Sequence, residues 1–169
     1  WKHSQQVAFN SYNIARNFFP NKKNIIDNAY VCGLLHDMGK VVFETTHPEV
    51  MNKFKEIITY KNISLNALEQ LVVGINHAEI GARIGEKWNF PEVLTDTIRF
   101  HHNPLSADQS IIPLASVVYL ANMITHFETG SVEYYQFDPA VLKLCKINTK
   151  EQLCAITQQL SKAFEKRNE

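Results

Sequence analysis

The sequence predicts an all-α protein, an irregular multi-helix bundle, and three observations predict it. Apolar residues recur at intervals of three and four along most of the chain, prolines stand near the ends of those runs, and no segment alternates with period two long enough to demand a strand. At roughly 150 residues per domain, a chain of 169 residues is expected to be a single domain over 1–169, large enough to bury a core without disulfides.

The elements follow in order. From Lys2 to Phe19, the residues His3, Val7, Ile14 and Phe18 keep helical spacing until Pro20 ends the run. Asn24 to Leu35 repeats the pattern through Ile26, Ala29, Cys32 and Gly33. Gly39 falls where a left-handed helix cap is natural, and the apolar run Val41 to Phe43 then leads to Pro48 and a helix through Tyr60. Asn66 to Glu69 has the spacing of a capping box opening a further short helix. Between Ala78 and Trp88 the apolar positions Ile80, Ile84 and Trp88 recur every four, and Gly81 and Gly85 allow another helix to come close. Pro91 suits the first position of a helix ending near His102, before Asn103 and Pro104. Two more helices fit Ile112 to Thr125 and Lys150 to Lys166, and there is no internal repeat or low-complexity block.

Charge and cysteine content narrow the function. Seventeen basic and seventeen acidic side chains cancel, so no global field draws in duplex nucleic acid or an anionic membrane. The longest apolar stretch, Ile111 to Ile124, contains Pro113, Ser116 and Asn122 and falls short of the roughly 18 residues of a membrane span. Cys32, Cys145 and Cys154 form no CxxC pair, which points to reduced thiols and a cytoplasmic location. The chain opens at Trp1, inside a helical pattern, and is expected to belong to a longer polypeptide. Trp1 and Trp88 are expected to be core or interface aromatics, and His47 and His126 to lie in solvated loops.

The histidines carry the chemistry. His36 and Asp37 follow Leu34 and Leu35 in GLLHDMGK, His77 shares a stripe with Ile80, Gly81 and Ile84, and His101 and His102 continue the stripe of Leu94 and Ile98. His3 lies one turn before Val7. Four helices thus direct imidazole inward, and a buried imidazole needs a partner. A divalent transition metal (Fe, Mn, Zn, Ni or Co) satisfies several at once, because neutral imidazole and carboxylate are good ligands.

The series WKHSQQVA, GLLHDMGK, NHAEIGARIGEKWNFP, IRFHH and VVYLANMIT resembles the HD superfamily of metal-dependent phosphohydrolases, most closely its HDOD branch of bacterial signalling output domains, over Trp1 to Thr125. The resemblance implies that His3, His36 and Asp37 hold a first metal, with Asp37 bridging to a second on His77, His101 and His102. It also implies that Lys40 faces a phosphate, although a helix-end lysine complementing the dipole is an equal reading. Two departures stand out. Asn122 occupies the place of the late aspartate, either as a weaker ligand or hydrogen-bonded to a ligand histidine, and no GYP signature follows the His-His pair, which argues against cyclic di-GMP hydrolysis. The implied activity is phosphohydrolysis of a phosphate ester or nucleotide on one or two ions, with Asp37 and Lys40 as catalytic residues. The alternative is an inactive output or scaffold module acting through signalling partners or an attached sensor or receiver domain. Residues 126–169, beyond the resemblance, are expected to be a C-terminal helical extension.

Overall fold

In a computed structural model, residues 1–61 and 64–167 are described; among them every regular element is helical. The α-helices are α1 (Lys2–Phe18), α2 (Lys23–Leu35), α3 (Met38–Thr46), α4 (Pro48–Lys61), α5 (Leu65–Val73), α6 (His77–Lys87), α7 (Glu92–Phe100), α8 (Ile112–Glu128), α9 (Pro139–Leu144) and α10 (Lys150–Arg167). Short 3₁₀ turns occupy Pro104–Ser106 and Tyr134–Gln136.

Helix α8 is the axis of the bundle. Every residue from Leu114 to Asn122 is buried, as are Ile124 and Thr125, so this helix is buried around its whole circumference and α1, α2, α7, α9 and α10 pack against it. Val7, Ile14, Ala29, Cys32, Ile98, Val141 and Leu153 complete the main core. A second cluster of Phe43, Met51, Phe54 and Leu68 lies under α3, α4 and α5. The cysteines are free thiols, and no described helix is long and apolar enough to cross a membrane.

Several expectations are corrected. Gly39 is not a left-handed cap: it lies inside α3, where an added Cβ would sit 1.9 Å from the carbonyl oxygen of His77. Its freedom from a side chain lets α3 meet α6 backbone to backbone. Asn66 does not open α5; Ser64 does, with its Oγ accepting from the Ala67 amide. The buried stripe of α6 is His77, Ala78, Gly81, Ala82 and Gly85 rather than Ile80, Ile84 and Trp88, because a closely approached face favours small residues over large ones. Trp1 and Trp88 are 81% and 62% exposed, which removes the core alternative for both and leaves the interface one. Helix α8 runs past Thr125 to Glu128, which places His126 on a helix instead of in a loop. The Asp138-Pro139 pair opens the unanticipated α9, with Asp138 Oδ1 accepting from the Ala140 and Val141 amides.

Candidate metal centre

Four stretches of chain bring their histidines and Asp37 to one point. His3 comes from the first turn of α1, and His36 and Asp37 form the corner between α2 and α3. His77 is the first residue of α6, His101 and His102 follow α7, and Asn122 sits midway along α8. The contact at Gly39 brings Asp37 alongside His77. Arg99 of α7 bonds Glu79 and Glu86 of α6, clamping the two helices that carry His77 and His101.

Asp37 is the hub. Its Oδ2 lies 3.2 Å from His36 Nε2 and 3.7 Å from His3 Nε2, and it accepts from Lys40 Nζ at 2.7 Å. Its Oδ1 lies 3.3 Å from His77 Nε2 and 3.7 Å from His101 Nε2. His102 Nε2 is 2.8 Å from His77 Nε2. The ligand atoms form two sets sharing Asp37, one with His77, His101 and His102 and the other with His3 and His36, all within 4.8 Å of one another in each set.

The outward nitrogens are already committed. His36 Nδ1 is 2.8 Å from the Gly33 carbonyl and His101 Nδ1 is 2.6 Å from the Ile98 carbonyl; because a carbonyl only accepts, each Nδ1 must carry the proton. Each Nε2 therefore turns a lone pair to the centre. Glu69 does the same for His77, its Oε2 accepting from Nδ1 at 2.5 Å and from the His77 amide at 2.8 Å.

These residues fit a divalent metal. Nε2 of His3, His36 and His101, Oδ1 of Asp37 and Oδ1 of Asn122 are buried without hydrogen-bond partners among the described residues. Three stranded imidazole nitrogens beside a carboxylate with a stranded oxygen of its own are costly in an apolar core and are what a cation would satisfy.

The electrostatics point the same way. Burial holds His101 and His102 well below the usual imidazole range, reinforced by neighbouring imidazoles, and brings His3 down to about 4. Burial opposes ionisation of Asp37, but His36, His77 and Lys40 outweigh it and keep the carboxyl well below the normal carboxylate range. His77 is raised, since its bonds to Asp37 and Glu69 overcome its burial. At neutral pH the cluster thus presents neutral His3, His101 and His102 and an ionised Asp37, the ligating forms of both groups.

A lowered histidine contributes stability that is complete above its unfolded value of 6.5 and, for His3, is lost as pH falls toward about 4. His101 and His102 act in the same direction and His77 against them. Metal-free protein is therefore expected to melt at progressively lower temperature on acidification below about pH 6.5. A flat or rising melting temperature across that window would contradict these protonation states.

The structure brings His3, His36, Asp37, His77, His101, His102 and Lys40 together, while Asn122 is buried on α8 one turn before His126. The helix-dipole reading of Lys40 is overturned: the residue lies in the first turn of α3, where the dipole disfavours a cation, and it is held by Asp37. Two residues escaped the sequence reading. Glu69 is fully buried, not a surface cap. His126, half-buried and one turn beyond Asn122 on α8, places its ring 5.1 Å from that of His3.

A family model described as the HDOD domain matches residues 1–104, and the chain belongs to the HDOD domain family. Asn122 and His126 lie beyond the matched residues. An uncharacterized protein of Treponema pallidum (strain Nichols) is 35% identical over 165 residues, covering 98% of this chain but 32% of its own length. An HDOD domain protein of unknown function from Geobacter sulfurreducens shares the fold at 21% identity with a TM-score of 0.73, over 98% of this chain and 59% of that one. A candidate phosphohydrolase from Shewanella amazonensis SB2B does so at 23% identity and a TM-score of 0.70, over 96% and 58% of the two chains. This chain thus spans a third to three-fifths of the length of these relatives.

Proposed function

We propose that this chain is a signalling HDOD domain over 1–169, with 126–169 as its helical extension, that keeps a His/Asp centre for a divalent transition metal. It acts there on a phosphate ester or nucleotide, in the cytoplasm, coupled to signalling partners or to an attached sensor or receiver domain. The observation that carries the reading is the convergence of stranded ligand atoms on Asp37. The Shewanella fold neighbour, a candidate phosphohydrolase, agrees with it.

His3, His36, Asp37, His77, His101, His102 and Asn122 would hold Fe, Mn, Zn, Ni or Co, and a bound dication supplies Lewis-acid stabilisation of charge on phosphoryl oxygens. The chain's own contribution is positioning. The Gly33 and Ile98 carbonyls and Glu69 fix three imidazoles in the ligating tautomer, and Asp37 holds the Lys40 ammonium at the mouth of the centre, where it can face a phosphate oxygen.

Asn122 favours a second reading, in which the centre is structural and the domain is an inactive output or scaffold module: the amide carries no charge to offset a dication. Elemental analysis of protein purified without chelator or affinity nickel separates the two, followed by a phosphodiester and nucleotide panel with and without the metal found. Metal-dependent turnover supports the hydrolase, bound metal without turnover supports the scaffold, and a folded chain that takes up no metal overturns the centre itself.

A further inference from the structure

Glu69 lies outside the ligand set, and we propose that it is a positioning residue through which occupancy of the centre controls how firmly helix α5 is docked. The inference rests on the metal-centre reading above and concerns its regulation: α5 is the element that senses whether His77 holds an ion.

Helix α5 is attached to the bundle by few other means. Its apolar residues Leu65, Leu68 and Val73 belong to the second core, and among the described residues none of α5 enters the main core around α8. Its other side-chain hydrogen bonds stay within its own stretch of chain: Ser64 accepts from the Ala67 amide, and Gln70 donates to the Gly74 carbonyl and accepts from Asn76. Leu71, two residues on from Glu69 and so on the opposite side of the helix, is 78% exposed. Among the described residues, Glu69 is thus the polar tie from α5 to the centre.

That tie depends on a single partner residue. Glu69 is fully buried, and both of its donors belong to His77: Oε2 accepts from Nδ1 at 2.5 Å and from the amide at 2.8 Å, while Oε1 has no partner among the described residues. A carboxylate buried in this way is costly unless its donors are strong. The strength of the Nδ1–H donor is set on the far edge of the ring, because an imidazole that gives its Nε2 lone pair to a dication donates better from Nδ1. His77 Nε2 is turned to the centre, 3.3 Å from Asp37 Oδ1 and 2.8 Å from His102 Nε2. One ring therefore has the metal ligands on one edge and α5 on the other.

Coupling of this kind is reciprocal. Whatever factor the Glu69 carboxylate adds to metal affinity, metal adds to the docking of α5. Loss of the outer partner of a ligating histidine typically costs about 10- to 100-fold in affinity, so α5 should open at least about tenfold less often when the centre is occupied.

The test is amide hydrogen exchange of the full chain, read by mass spectrometry without metal and at saturating Mn²⁺, with occupancy counted by elemental analysis. A pH of about 8 keeps protons from competing for the imidazole nitrogens. In the natural sequence the amides of Leu65–Val73 should exchange about tenfold more slowly with Mn²⁺ bound. Glu69→Gln keeps the size of the side chain and removes its charge, and it should bind Mn²⁺ at least about tenfold more weakly. Loaded to the same occupancy, this variant should show no slowing of α5, while the amides of α6 still slow. A carboxylate that only fills space would leave the variant with the metal response of the natural chain, and that result would overturn the proposal. Mn²⁺ bound by the natural chain with α5 unslowed would overturn it as well, without need of a variant, and would leave the metal centre standing. A chain that binds no Mn²⁺ would overturn both readings.

Discussion

Asp37→Asn is expected to abolish metal-dependent stabilisation of this protein. Asp37 is the ligand common to both sets of donors, and its carboxylate is the negative charge placed directly between them. The amide keeps the size of the side chain but removes the charge that balances a dication, leaving imidazoles and the Asn122 amide as neutral donors. In the natural sequence, a metal held at a hundred times its Kd should add about 2.7 kcal/mol. For a chain of this size that raises the melting temperature by about 5 to 10 °C. Asp37→Asn should show no rise at the same metal concentration. The metal-free variant should still fold, because Lys40 is 27% exposed and can swing into water when its partner is lost. Differential scanning calorimetry with and without metal checks both points. A variant that gains as much from metal as the natural chain would remove Asp37 from the centre.

The histidines were legible in the sequence because each continues a stripe of apolar residues, and helical periodicity reports which way a side chain points. The same reasoning misplaced residues whose roles depend on a second element. Glu69 stands three residues after Asn66, the spacing of a local cap, so its carboxylate seemed committed to its own helix; the true cap is Ser64, and Glu69 turns inward to His77. Only the packing of α5 beside α6 reveals that. His126 was missed because nothing in VVYLANMITHFETG marks a helix end before Gly130, and a one-turn error in the end of α8 moves an imidazole from a loop to the mouth of the centre. In α6 the large apolar residues drew the stripe away from the most buried face, although Ile80 packs on the second core, since contact between close backbones selects Ala and Gly, which carry little weight in a hydrophobic pattern.

Gly39→Ala tests the contact that builds the centre. A Cβ at this position would lie 1.9 Å from His77 O, 2.8 Å from Gly81 N and 2.9 Å from His77 C, all of them backbone atoms that no rotamer change can move. Ordinary contact begins near 3.4 Å, so α3 and α6 would have to separate by more than an ångström. The start of α6 would shift, carrying His77 away from Asp37 and Glu69. Overpacking of this kind typically costs about 1 to 3 kcal/mol, and an obstacle made of backbone places Gly39→Ala at the upper end. Alanine's better helix propensity offsets about 1 kcal/mol of that. The net loss of about 2 kcal/mol or more should lower the melting temperature by about 4 to 8 °C, and metal uptake should fall with it because His77 is displaced. Gly81→Ala provides the comparison: its Cβ would meet the side chains of Ile98 at 2.9 Å and Met38 at 3.2 Å, which can shift, and its nearest backbone atom, Gly39 N, stands at 3.3 Å rather than 1.9 Å, so a smaller loss is expected. The two readings of Gly39 also part here. A left-handed cap would lose stability on substitution without loss of metal, whereas a helix-to-helix contact beside His77 must lose both. Calorimetry and metal dialysis on the two glycine variants decide it, and a Gly39→Ala protein with natural stability and full metal content would mean that α3 and α6 do not meet at this point.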